Sequence, residues 1–193
     1  MPRLTPVAPS SATGRTAELF TGIKSKLGMV PNMMQTLGHS PAALEGYLSL
    51  SSALGGGLLT ATQREQIALA VGQANSCDYC LAAHSALGKM AGLTVDQIRD
   101  ARLGTAVDAK DEALVGFARK LVDENGHVDD ADLANLKQHG FSEGEIVEIV
   151  LNVSLNILTN YFNHVADPKI DFPAAPELAA AGTCSSNGTC STH

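Results

Sequence analysis

Three times along this chain a hydroxyl residue stands three positions before a longer polar side chain at the head of an apolar stretch. The pairs are Thr60 with Gln63, Thr94 with Gln97, and Ser142 with Glu145. In such a capping box the hydroxyl accepts from the backbone N–H three residues on, and the longer side chain reaches back, so each pair marks a helix start. Ser40-Pro41 is a fourth start, an N-cap followed by proline at the first helical position. Thr13 or Thr16 opens AELFTGIKSKL, Pro31 opens NMMQTL, and Asp129 caps a short run to Gln138. Stops of matching kind stand at Gly28, Gly38, the run Gly55-Gly56-Gly57, Gly92, Asn125-Gly126 and Gly140. Between Ala109 and Glu124, Leu114, Phe117, Ala118 and Leu121 share one helical face. The β-branched run IVEIV at 146–150 lies inside an apolar segment that continues to Ala166 before Pro168, too long for a strand. The expectation is an all-α protein of about eight helices without strands.

Composition bounds the rest. A chain of 193 residues, 45% of them hydrophobic, suits one domain with a core of Ala, Leu, Ile and Val. The formal charge is −7, and the 13 basic residues form no cluster, so no nucleic-acid or anionic-membrane partner is expected. Neither a signal-peptide core in MPRLTPVAPSSATGR nor a long apolar span occurs, which favours the cytoplasm. There, a Cys-x-x-Cys pair points to catalysis or metal binding rather than to a structural disulfide. Residues 1–13 read as an extended arm, 14–168 as the helical domain, and 169–193 as a flexible tail carrying Cys184 and Cys190.

The chemistry concentrates in TATQREQIALAVGQANSCDYCLAAHSALGKMAG, residues 60–92. A helical rotation of ~100° per residue puts Cys77, Cys80 and His84 on one face. With Asn75 or Ser76 as N-cap, Cys77 falls in the first turn, where free N–H groups and the helix dipole favour a thiolate. His84 is placed to accept a proton from Cys80, and Glu65 on the preceding helix to orient the imidazole. A solvated Glu65 at a helix start is the plainer alternative.

The spacing of Glu65, Cys77, Cys80 and His84 resembles the signature of the alkylhydroperoxidase D branch of the carboxymuconolactone decarboxylase superfamily. The stretches LGMVPNMM and NYFNHVAD resemble its peroxidase-related members. The resemblance spans most of residues 15–172 and implies an AhpD-like helical fold, an obligate homo-oligomer of three or six chains, and no cofactor. It implies a hydroperoxide reductase in which Cys80 attacks, Cys77 resolves to a Cys77–Cys80 disulfide, and His84 with Glu65 relays protons. The implied partners are a small hydroperoxide and an external dithiol, thioredoxin-like or lipoyl-type. One departure stands out: relatives carry a histidine before the second cysteine, whereas this chain has Tyr79, a poor base with a pKa near ~10.

Other readings compete. On the same scaffold they are a carboxymuconolactone decarboxylase-like lyase or a disulfide reductase; outside catalysis, a redox-sensing or zinc-binding helical oligomer. The zinc set would be Cys77, Cys80, His84 and Glu65, crowded by helical spacing. Asn152, Asn156 and Asn160, at i, i+4 and i+8, make a polar seam in an apolar helix, followed by Asn163 and His164. Such a seam packs against polar atoms of another helix or lines a cavity. Met29, Met33 and Met34 fill core, or face a substrate opening or a subunit contact. Cys184, Cys190 and His193 are spare thiols and a terminal histidine, a small disulfide, a soft-metal site or a dithiol relay.

Overall fold

The computed structural model describes residues 1–178. These contain nine helices and no strand: α1 Gly14–Leu27, α2 Asn32–Leu37, α3 Pro41–Gly55, α4 Ala61–Ala74, α5 Asp78–Ala91, α6 Val95–Leu103, α7 Ala109–Asp123, α8 Asp130–Gln138 and α9 Glu143–Ala166. The count exceeds the expected eight by one; α2, α6 and α8 are only six to nine residues long, a length at which sequence pattern separates elements least well.

The capping boxes at Thr60, Thr94 and Ser142 all form, with both reciprocal hydrogen bonds, as does a fourth between Asp129 and Asp132. IVEIV is helical, inside the 24-residue α9. That helix ends at Asp167 in the left-handed region, φ 49°, just before Pro168.

Helix α4 is the axis of the fold, packed against α5, α6, α7 and α9. Its residues Gln66 to Gly72 are all buried, as a helix apolar on every side must be. One apolar cluster joins Ile67, Leu69 and Val71 of α4 to Ile98, Leu114, Leu121 and Ile149. A second joins Phe20, Ile23, Met33, Leu37 and Leu44 to Tyr79 and both cysteines, so the dithiol belongs to the core. The α4–α5 approach runs over Gly72, where a Cβ would meet Cys80 Cβ at 3.6 Å and Leu81 at 3.5 Å.

Both ends of the described chain lie against this body. In the non-helical residues 1–13, the backbone N–H groups of Arg3 and Leu4 donate to Ala166 O, and that of Val7 to Gln35 O. Residues 169–178, read from sequence as the start of a loose tail, are pinned instead. Asp171 accepts from Asn32 N at 2.7 Å, Arg99 Nε donates to Glu177 O at 3.0 Å, and Arg102 bonds Pro176 O. Proline and alanine content signalled a missing helix there and could not show these side-chain anchors. Cys184, Cys190 and His193 lie outside the described residues.

Candidate dithiol site

The turn between α4 and α5 sets the cysteines. Asn75 closes α4, and Ser76 takes a left-handed conformation at φ 53°, so the helix starts one residue beyond Ser76 and two beyond Asn75, the caps expected. Cys77 is the N-cap itself; its sulfur accepts from Cys80 N at 3.4 Å. Cys77 and Cys80 form a disulfide with Cα atoms 5.3 Å apart. Both are buried, at 1% and 3% exposure.

His84, one turn on, uses Nδ1 to bond Glu65 Oε2 at 2.8 Å, across the α4–α5 contact. That carboxylate is therefore engaged rather than merely solvated. Neither ring nitrogen of His84 is hydrogen-bonded to a sulfur, and Nε2 is left without a partner among the described residues. The zinc set is not assembled: the sulfurs bond each other, His84 bonds Glu65, and no group of three or more His, Cys, Asp or Glu among the described residues is arranged to hold a metal.

Three cavities meet these residues. Cys80 and His84 share one of about 240 Å³, lined mainly by apolar groups such as Met29, Met33, Met34, Leu87 and Phe172. His84 and Glu65 share a smaller one of about 100 Å³ with Arg64, Asn152 and Asn156. Cys77 borders a polar cleft of about 500 Å³ with Asp78, His164 and Asp167. The imidazole thus stands between an apolar and a polar cavity, and the two sulfurs line different spaces.

Tyr79, the residue at the departure from the family pattern, is a structural pin. Its hydroxyl donates to Asp171 Oδ1 at 2.7 Å and accepts from Met33 N at 3.2 Å. Its ring meets Phe172 edge-on at 5.8 Å. Burial, with Asp171 adding to it, pushes the phenol well above its ordinary pKa, so it stays neutral and serves as a donor, not a base.

The asparagine seam divides into two kinds. Asn152 and Asn156 turn back on their own helix, donating to Glu148 O and Asn152 O, both at 2.8 Å. Asn160 and Asn163 instead reach Cys80 Sγ, at 2.9 and 3.2 Å, and Asn163 also lies 3.9 Å from Cys77 Sγ. The site therefore includes two amides that sequence placed on a polar seam without assigning to the cysteines. Their signal was four asparagines in an apolar helix, but the spacing alone did not say what they faced.

Residues 41–124 match the model of the carboxymuconolactone decarboxylase family. No curated protein sequence matches the chain. Among solved structures, an alkylhydroperoxidase AhpD core, peroxidase-related protein of Ralstonia eutropha JMP134 superposes with a TM-score of 0.80 at 24% identity, covering 88% of this chain and 92% of its own. A peroxidase-related protein of Silicibacter sp. TM1040 gives 0.74 at 24% identity, with 86% and 91% covered. The debrominase Bmp8 in complex with 2,3,4-tribromopyrrole gives 0.74 at 21% identity, with 88% and 91% covered. Over residues 41–124 the chain is thus similar to the carboxymuconolactone decarboxylase family, and the described chain shares the fold of the AhpD-like, peroxidase-related proteins.

Proposed function

We propose that this protein is a thiol-dependent hydroperoxide reductase that uses Cys80 and Cys77 as its redox pair. The reading is carried by one observation: a buried Cys77–Cys80 disulfide whose second sulfur shares an apolar cavity with an imidazole bonded to a carboxylate. In the reduced protein, His84 takes the proton of the Cys80 thiol. The thiolate attacks the distal oxygen of ROOH, the O–O bond breaks, and the leaving alkoxide takes the proton back from His84 as ROH. Cys80 is left as a sulfenic acid. The Cys77 thiol then attacks that sulfur, water leaves, and the disulfide forms. Two electrons have passed from the dithiol to the peroxide, and an external dithiol, thioredoxin-like or lipoyl-type, returns them. The polar cleft beside Cys77 supports approach of that reductant through a space other than the cavity beside Cys80. Glu65 holds the imidazole through Nδ1, leaving Nε2 for proton transfer.

The same proposal includes a homo-oligomer of three or six chains in a reducing, cytoplasmic setting. Val147, Leu151, Leu158, Tyr161 and Val165 are exposed on α9 and recur at intervals of three, four or seven residues, the spacing of a helix–helix seam. No helix among the described residues is long and apolar enough to cross a membrane.

Reduced protein offered hydrogen peroxide and, separately, cumene hydroperoxide should lose two thiols per peroxide consumed. Unchanged thiol counts with both would overturn the reading. A second reading rests on the aromatic edge that Tyr79 and Phe172 give the cavity beside Cys80: dithiol-driven debromination, in which ArBr and two thiols give ArH, HBr and the disulfide. Bromide release from 2,3,4-tribromopyrrole, without thiol loss to either peroxide, would favour it.

A further inference from the structure

We infer that Asn160 and Asn163 form an amide cradle that stabilises the thiolate of Cys80 and thereby selects it as the reactive sulfur. Both amides are buried, and both point a donor at one atom: Asn160 Nδ2 to Cys80 Sγ at 2.9 Å, Asn163 Nδ2 to the same sulfur at 3.2 Å. A disulfide sulfur is a weak acceptor, so two buried N–H donors gain little from it. A thiolate is a charged acceptor, for which such bonds are roughly twice as strong as neutral ones. The arrangement fits the reduced, ionised state better than the oxidised one.

The orientation of the amides is fixed by their surroundings. Asn75 Nδ2 donates to Asn160 Oδ1 at 2.9 Å, which commits the other end of that amide to donate to the sulfur. Asn163 Oδ1 is buried without a partner among the described residues, a cost the fold bears while Asn163 Nδ2 stays on the sulfurs. Asn152 and Asn156, on the same seam, show the alternative: they satisfy themselves on the helix backbone. Asn75 is in this account a positioning residue that acts through Asn160.

Around Cys80 the titratable groups are His84 on its own helix, Tyr47 on α3 and Lys26 on α1 along the shared cavity, and Tyr79 with Asp171 behind it. None hydrogen-bonds the sulfur; α9 supplies only neutral amides. The dipole of α5 and the Cys80 backbone N–H at 3.4 Å favour Cys77, the N-cap, but of the side-chain amides only Asn163 reaches it, at 3.9 Å. The cradle therefore sets Cys80 apart, and His84 carries the proton away rather than holding the charge. By stabilising the reduced form it also makes the disulfide easier to reduce.

This inference rests on the dithiol being redox-active, not on the peroxide being its substrate, and its test reads the thiol directly. Reduced full-length protein is alkylated with iodoacetamide across a pH series, and Cys80 labelling is followed by peptide mass spectrometry. The Cys80 pKa should lie below the ~8.5 of a free thiol. Asn163→Ala, which leaves no orphaned atom behind, and the isosteric Asn160→Asp should each raise it by about one unit. Asn152→Ala, equally buried on the seam, should not move it. The dithiol–disulfide equilibrium against glutathione should shift about tenfold toward the disulfide in Asn163→Ala, or about 30 mV. A wild-type Cys80 pKa retained in folded Asn163→Ala would overturn the cradle, whether or not Asn160→Asp folds. The expected pKa pattern without peroxide turnover would leave the cradle standing and remove the peroxidase reading.

Discussion

Glu65 Oε2 and His84 Nδ1 lie 2.8 Å apart, joining α4 to α5 directly beside the cavity that Cys80 lines. The carboxylate fixes which ring nitrogen is engaged and offers charge to an imidazole that has taken a proton. Glu65→Gln keeps the shape and a hydrogen-bonding group but removes that charge. It should slow peroxide consumption by about tenfold to hundredfold, less than the ~10²–10⁴ that outright loss of acid–base catalysis costs. The apparent thiol pKa should rise, and thermal unfolding should change little. Stopped-flow peroxide consumption across pH checks this; a wild-type rate and profile would remove Glu65 from the relay.

Tyr79 and Asp171 make a stability prediction with a definite sign. Burial raises the phenol pKa of Tyr79 above its unfolded value, and burial followed by Glu65 pushes Tyr47 up to about 12. In the unfolded chain both titrate near ~10. Above that pH the unfolded chain loses protons that the folded one keeps, so the stabilisation is complete below ~10 and is lost as pH rises through about 12 and beyond. Tyr79→Phe should cost ~1.5–3 kcal/mol near neutrality, because Asp171 loses its donor. The variant should also show a shallower alkaline decline than wild type. Urea midpoints near pH ~8 and pH ~11 compare the two.

The proposed assembly rests on the outer face of α9. Tyr161→Asp combined with Val165→Asp places two charges on the exposed apolar stripe, where they should prevent helix–helix contact between copies. Light scattering should report several times 20.0 kDa for wild type and a smaller species for the variant. A wild-type monomer would contradict the proposed oligomer.

Much of the fold was legible because helix ends obey local chemistry. Thr60–Gln63, Thr94–Gln97 and Ser142–Glu145 are satisfied within one turn, so no distant residue decides them. The dithiol and its histidine were legible for the same reason, since Cys80 and His84 lie on α5 and Cys77 is its N-cap. One local detail escaped, and the rest depends on distant packing. The N-cap moved to Cys77 because Ser76 takes a left-handed turn while Cys77 N bonds Gly72 O at 2.9 Å, closing α4. The targets of Asn160 and Asn163 lie 80 or more positions away in sequence, and those of Tyr79 and Asp171 are 92 apart. Such partners are fixed by how α9 and the segment after it lie across α5, which no local pattern encodes.

Peroxide consumption by the two single cysteine variants tests the central claim most directly. Cys77→Ser retains the cradled sulfur beside His84, and it should consume one equivalent of hydroperoxide and accumulate a sulfenic acid that a dimedone probe captures at Cys80. Cys80→Ser retains, of the pair, only the sulfur facing the polar cleft and should consume almost none. Equal consumption by the two variants would contradict the assignment of Cys80 as the attacking thiol.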